Sequence, residues 1–142
     1  MRHIKYIMVH CSGGIQKAKA ADLLAFFLAP VSKGGRGWKA PGYHYFIEAD
    51  GSIIEMWPED KITNGVKGYN SVSINVAYAG GVDLSVPGKP PVDNRTPQQK
   101  ASLLILLKSL KAKYPAAEIH SHRDFAKKAC PSFDATKEYA VL

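Results

Sequence analysis

The 142-residue chain carries five histidines, His3, His10, His44, His120 and His122, and two cysteines, Cys11 and Cys130. Neutral imidazole and thiolate are zinc ligands, and three protein ligands leave a fourth position open for water, as catalytic zinc requires. His10 stands where the apolar run 4–9 ends, and Cys130 follows His122 by eight residues. This spacing matches no zinc finger or ribbon, so unrelated polar residues are the alternative. Successive side chains of a strand point to opposite faces. His10 and Cys11 therefore do not share a metal, and Cys11 reads as a small buried hydrophobe. His120 shares a face with His122 if the strand continues, as a rival or a supporting group. His44 is a further candidate ligand, and His3 reads as surface. Cys130 as a nucleophile with His122 as base is a thiol alternative. No His-Glu-x-x-His, Gly-x-Ser-x-Gly, Walker or dinucleotide-binding motif occurs.

These residues need elements to position them. Residues 4–9 read as a buried strand that runs into a loop at 10–14. Residues 19–29 form a helix candidate with Leu24, Phe27 and Leu28 on one face, stopped by Pro30. Residues 32–41, rich in Gly, Lys and Arg, read as a surface loop. An alternating run at 43–48, Asp50-Gly51 and a return strand at 52–57 form a hairpin. Residues 73–79 are another strand, followed by a long loop over 80–94. Thr96-Pro97-Gln98-Gln99 is a capping box with proline at the first helical position. Leu103, Leu106, Leu107, Leu110 and Tyr114 then mark the core stripe of a long helix closed by Pro115. Residues 117–120 are a short strand, and 121–134 read as irregular. The fold class is α/β: a single domain over 1–142 with a central mixed β-sheet flanked by α-helices.

Composition sets bounds. The chain is 46% hydrophobic and 22% charged, which excludes disordered, collagen-like and coiled-coil classes. Two cysteines build no disulfide scaffold. No apolar run reaches the roughly 18 residues of a membrane span. The start has no signal-peptide pattern, which implies cytoplasmic synthesis and release or delivery to the site of action by another route. Nothing calls for an oligomer, and a monomer is expected. The net charge of +7 favours anionic partners. It is dispersed, and no recognition helix supports a nucleic-acid binder.

Five blocks carry a resemblance: Val9-His10-Cys11-Ser12, Gly42-Tyr43-His44-Tyr45-Phe46-Ile47-Glu48-Ala49-Asp50-Gly51, Lys67-Gly68-Tyr69-Asn70-Ser71-Val72-Ser73-Ile74, His122-Arg123-Asp124 and Lys128-Ala129-Cys130-Pro131-Ser132-Phe133-Asp134. In this order, over residues 4–134, they resemble zinc-dependent N-acetylmuramoyl-L-alanine amidases of the phage-lysozyme type. Animal peptidoglycan recognition proteins are related to these, and the chain looks most like small single-domain phage lysins. The resemblance implies zinc on His10, His122 and Cys130, with Tyr43 and Lys128 as catalytic residues. It implies hydrolysis of the amide between the lactyl group of muramic acid and L-alanine in bacterial peptidoglycan. The alternative is a non-catalytic peptidoglycan-binding module on the same fold. Such modules usually lack the cysteine, so Cys130 argues for an enzyme. One departure stands out: many relatives carry a histidine where this chain has Asn64-Gly65-Val66.

On this reading Lys128 faces a developing oxyanion, and Tyr43 hydrogen-bonds the attacking water or that oxyanion. The alternatives are a solvated loop cation and a core aromatic. Asp124 either orients His122 through its other ring nitrogen or caps a turn. Trp38, Lys67 and Tyr69 are candidate substrate-binding residues, on the groove segments 32–41 and 64–70. Lys33, Arg36, Lys39 and Lys67 would meet acidic groups of the wall.

Overall fold

A computed structural model describes residues 2–142; Met1 lies outside the described residues. Five strands form one mixed sheet in the order β3-β2-β4-β1-β5. Central β1 (Tyr6–Cys11) runs parallel to β4 (Ser73–Tyr78) on one side and to β5 (Glu118–Ser121) on the other. β2 (Tyr45–Ile47) runs parallel to β4 and antiparallel to the edge strand β3 (Ile53–Glu55). The alternation of side chains divides β1. Ile7, Val9 and Cys11 join Ile74, Val76 and Tyr78 in the core beneath the long helix. Met8 and His10 take the opposite face.

The long helix α2 (Pro97–Lys113) starts at the expected capping box, with Thr96 accepting from Gln99 N–H and Gln99 accepting from Thr96 N–H. Buried Gln99 also donates to the carbonyls of Ile47 and Ala79, at 3.2 and 2.9 Å, tying the cap to the sheet. Leu103, Leu106, Leu107 and Leu110 are the helix's buried apolar stripe, at the i, i+3, i+4, i+7 spacing read from the sequence. On the other face lies α1 (Ala20–Leu28). Its N-terminus has no cap of its own, and Glu48 supplies one from the hairpin by accepting from Ala20 N–H at 2.8 Å.

Several expectations shift. β1 continues through His10 and Cys11, because parallel pairing to Ala77 and Tyr78 satisfies their backbone. Tyr43 and His44 precede β2 rather than lie within it. The segment after β5 contains a short 3₁₀ turn, His122–Asp124, and a further helix, α3 (Ala135–Glu138), follows it.

One buried ion cluster holds α3 in place. Arg95, with its side chain 2% exposed, pairs with Asp93 and Glu138 at 2.9 Å. It donates to the Tyr139 hydroxyl at 3.0 Å and lies 3.4 Å above the Phe133 ring centroid. Arg95→Met is expected to cost about 1–2 kcal/mol, since two carboxylates lose their partner but, 30% and 45% exposed, regain water. The thermal midpoint should fall by about 5 °C. Arg95→Lys should recover little, because the fork geometry is lost. Arg95 holds the Asp93 and Glu138 carboxyls below their ordinary values. Groups depressed in the folded state add stability that is full above the ordinary carboxylate range and lost as pH falls through the folded values. Acid melts should therefore separate wild type from Arg95→Met above the ordinary carboxylate range and bring them together as pH falls below it.

Candidate metal centre

The site forms at the carboxyl ends of the parallel strands, where open α/β sheets place ligands. His10 is the fifth residue of β1. The register pairs Val9 with Ser121, the last residue of β5, so His10 and the residue that follows β5, His122, stand side by side. Their Nδ1 atoms are 3.1 Å apart. Cys130 arrives on the loop after β5: Arg123 N–H donates to its carbonyl at 2.9 Å, and Cys11 N–H to its Sγ at 3.2 Å. Tyr78 Oη donates to the Pro131 carbonyl at 2.6 Å and Ser132 Oγ to the Gly81 carbonyl at 2.7 Å, pinning the loop to the end of β4.

Cys130 Sγ lies 3.8 Å from His10 Nδ1, and the three donor atoms fall within 4.8 Å of one another. A tetrahedral zinc with Zn–N of about 2.05 Å and Zn–S of about 2.3 Å sets its ligands about 3.3 Å (N···N) and about 3.6 Å (N···S) apart. The two separations that His10 makes, 3.1 and 3.8 Å, differ from these by about 0.2 Å, and no two donor atoms of the group lie more than 4.8 Å apart. No carboxylate belongs to the group, so the donors are of the type that suits zinc rather than magnesium or calcium. The residues fit a zinc ion.

The electrostatics agree. Burial, then His122, hold His10 down to about 3, and burial with nearby Lys128 lowers His122. Both rings are neutral, as ligation requires. The adjoining Cys11 and burial raise the Cys130 thiol, which releases a proton when a metal binds. Both cysteines are free.

A cleft of about 430 Å³ opens from this group. Tyr43 lines it beside His10, with ring centroids 5.2 Å apart, and its hydroxyl donates to the Cys11 carbonyl at 3.2 Å. Burial pushes this phenol up, so it keeps its proton. Lys128 also lines the cleft, exposed, and makes no ion pair among the described residues. Trp38 stacks on Phe27 at 5.2 Å and 6°, forming the far wall, with Arg36 over its other face at 4.8 Å.

Other sequence candidates fall elsewhere. Tyr69 packs with Tyr6 and Phe125 outside the cleft lining. Lys67 is exposed and also outside it. His44 is fully buried away from the three donors: its Nδ1 accepts from Asn75 N–H at 3.0 Å, and its Nε2 donates to the Lys61 carbonyl at 2.8 Å. Asp124 does not reach His122. It bonds His120 Nδ1 at 3.0 Å and the Thr136 hydroxyl, because the 3₁₀ turn sets it against β5's outward-facing histidine. His120 is thereby tied to Asp124 and Glu118 and plays no part in the group.

Two residues were missed. Lys89 reaches the cleft from the long loop, and a lone loop lysine carries no signal. Asn75 hydrogen-bonds His10 at 2.8 Å. A signal for it existed, since asparagine is rare in a fully buried strand.

The family described as N-acetylmuramoyl-L-alanine amidase matches residues 1–133. The endolysin of Enterobacteria phage K11 is 44% identical over 99 residues, covering 70% of this chain and 64% of that protein. The endolysin of Escherichia phage T7 is 43% identical over 100 residues, with the same coverage of 70% and 64%. The chain thus spans about 64% of the length of these curated relatives. Among solved structures, the Ph2119 endolysin from a Thermus scotoductus bacteriophage superposes with a TM-score of 0.78 at 28% identity, over 99% of this chain and 85% of that one. Drosophila PGRP-LB shares the fold, with a TM-score of 0.76 at 19% identity over 99% and 81% of the two chains.

Proposed function

The chain belongs to the N-acetylmuramoyl-L-alanine amidase family, and from that premise we propose that it hydrolyses the amide joining the muramic acid lactyl group to L-alanine in bacterial peptidoglycan, with zinc on His10, His122 and Cys130. The observation that carries this reading is the group of two buried, neutral imidazoles and one half-buried thiol, gathered within 4.8 Å of one another and opening on a cleft. Zinc in that place supplies Lewis acidity and lowers the pKa of water toward neutrality.

The chain's own residues do the rest. His10 and His122 present lone pairs because burial keeps them neutral. Tyr43 retains its proton beside His10, so it donates a hydrogen bond to the carbonyl oxygen as charge develops there. Lys128 brings a positive charge to the same rim. The cleft lining contains three cations, Arg36, Lys89 and Lys128, and no carboxylate. That balance suits a stem peptide rich in carboxylates. Trp38, held flat against Phe27 with Arg36 over its ring, offers the edge of its ring to sugar or peptide. Lys67 and Tyr69 remain candidates only for substrate extending beyond the lining. No helix among the described residues is long and apolar enough to cross a membrane.

A second reading has one observation behind it. Cys130, His10 and Asn75 stand in line, at 3.8 and 2.8 Å, as in a thiol hydrolase. One experiment separates the readings. Purified peptidoglycan treated with the zinc-loaded protein should yield new L-alanine amino ends. Chelation should abolish the yield and added zinc restore it. Activity unaffected by chelator would favour the thiol reading, and muropeptide binding without new ends a binding module.

A further inference from the structure

His10 is a usable ligand only if its proton sits on the ring nitrogen away from the metal. A neutral imidazole has one N–H and one lone pair, and which nitrogen holds which is set by the partner of the other. His10 Nδ1 faces His122 and Cys130. Its Nε2 meets the side-chain oxygen of Asn75 at 2.8 Å. An amide oxygen only accepts, so the proton is held on Nε2 and the lone pair on Nδ1.

Asn75 is itself fixed. Met8 of β1 pairs with Asn75 of β4, so Asn75 lies on the same sheet face as His10, one step back along the strand. Its Nδ2 donates to Thr63 Oγ1 at 2.8 Å, and both residues are fully buried. Its backbone N–H and carbonyl are taken by His44, at 3.0 and 2.8 Å. Thr63 Oγ1 also lies 3.4 Å from His44 Nδ1, a ring nitrogen that accepts from Asn75 N–H; with its own proton directed there, the Thr63 hydroxyl accepts from the amide, which leaves Oδ1 for His10. Gly65 completes the seat. A Cβ at that position would lie 2.3 Å from Asn75 Cγ and Oδ1. Only glycine leaves room for the amide.

We propose that Asn75 is the positioning residue that holds His10 as an Nδ1 metal ligand, and that residue 65 is glycine because Asn75 occupies its side-chain space. Asn75 does not touch the metal or the substrate; it acts through His10. This rests on the zinc reading above.

The test is zinc affinity, measured by competition with a chromophoric chelator, in wild type, Asn75→Leu, Asn75→Asp and Gly65→Ala. Loss of the hydrogen bond should weaken zinc about 10–100-fold in Asn75→Leu. Gly65→Ala should weaken it in the same direction by displacing the amide. Asn75→Asp keeps an acceptor facing Nε2 and should stay within about threefold of wild type. Thermal melts in chelator report whether each zinc-free variant is folded. A folded Asn75→Leu that binds zinc as wild type does overturns the role of Asn75 alone. A wild type that binds no zinc overturns the zinc reading with it. Should Asn75→Leu not fold, the tautomer of His10 decides, read by long-range proton–nitrogen NMR in zinc-free wild type. A proton on Nε2 supports the proposal, and a proton on Nδ1 overturns it.

Discussion

Cys130→Ala is expected to leave a folded protein that retains no zinc at limiting metal and has lost peptidoglycan cleavage by on the order of 10³-fold or more. The thiol is one of three donors, and the two that remain, His10 and His122, form an incomplete set for tetrahedral zinc. Little structural damage should follow. Cys130 is half-buried, and its Sγ accepts one hydrogen bond, from Cys11 N–H at 3.2 Å. Loss of such a bond costs about 1 kcal/mol. The loop is held independently by the Arg123 N–H to Cys130 carbonyl bond and by Tyr78 and Ser132. Zinc content, a thermal melt and counting of new L-alanine ends on one sample suffice. Loss of cleavage with full zinc retention would remove Cys130 from the ligand set and point to the thiol itself as the reacting group.

Lys128→Met should lower turnover by about 10²–10³-fold while leaving zinc content unchanged. The substitution keeps chain length and removes only the charge. Lys128 lines the cleft near His10 and His122, lowering the pKa of each beyond the effect of burial. It makes no ion pair among the described residues, so its charge is available to negative charge arriving in the cleft. A cation acting on the developing oxyanion affects kcat, whereas one that only attracts an anionic wall affects KM. Separate determination of the two parameters distinguishes these roles, and an unchanged kcat would assign Lys128 to binding. Arg36→Met provides the comparison: Arg36 lies over Trp38 at the far wall, so its loss should appear in KM.

Much of this protein is legible in its residues alone. The capping box at Thr96 and Gln99 and the leucine stripe behind it define α2 because both signals are local, complete within a few turns of chain. Asp50-Gly51 likewise announces its hairpin. The donor types of the group formed by His10, His122 and Cys130 were legible too, since histidine, cysteine and carboxylates are the side chains that hold zinc and the candidates were few. Where the pattern was ambiguous, at His120, His44 and Asp124, the ambiguity was real. Each residue's role depends on which face it takes, and a strand boundary moved by two residues changes its neighbours.

The elements that escaped the sequence share a physical cause. Glu48 caps α1 across 28 residues, and Arg95 joins Glu138 across 43. Asn75 bonds His10 across 65, and Cys130 reaches His10 across 120. None of these partners is marked by local periodicity or turn chemistry. They meet because β1 runs parallel to both β4 and β5, and parallel neighbours are joined through long crossovers that separate them in sequence. Composition and local pattern thus determined which residues were available for chemistry and which segments became helix or strand. The register of three parallel strands decided which atoms face one another, because hydrogen-bonded pairing sets side-chain positions to within one residue, while the chain between the strands leaves that pairing open.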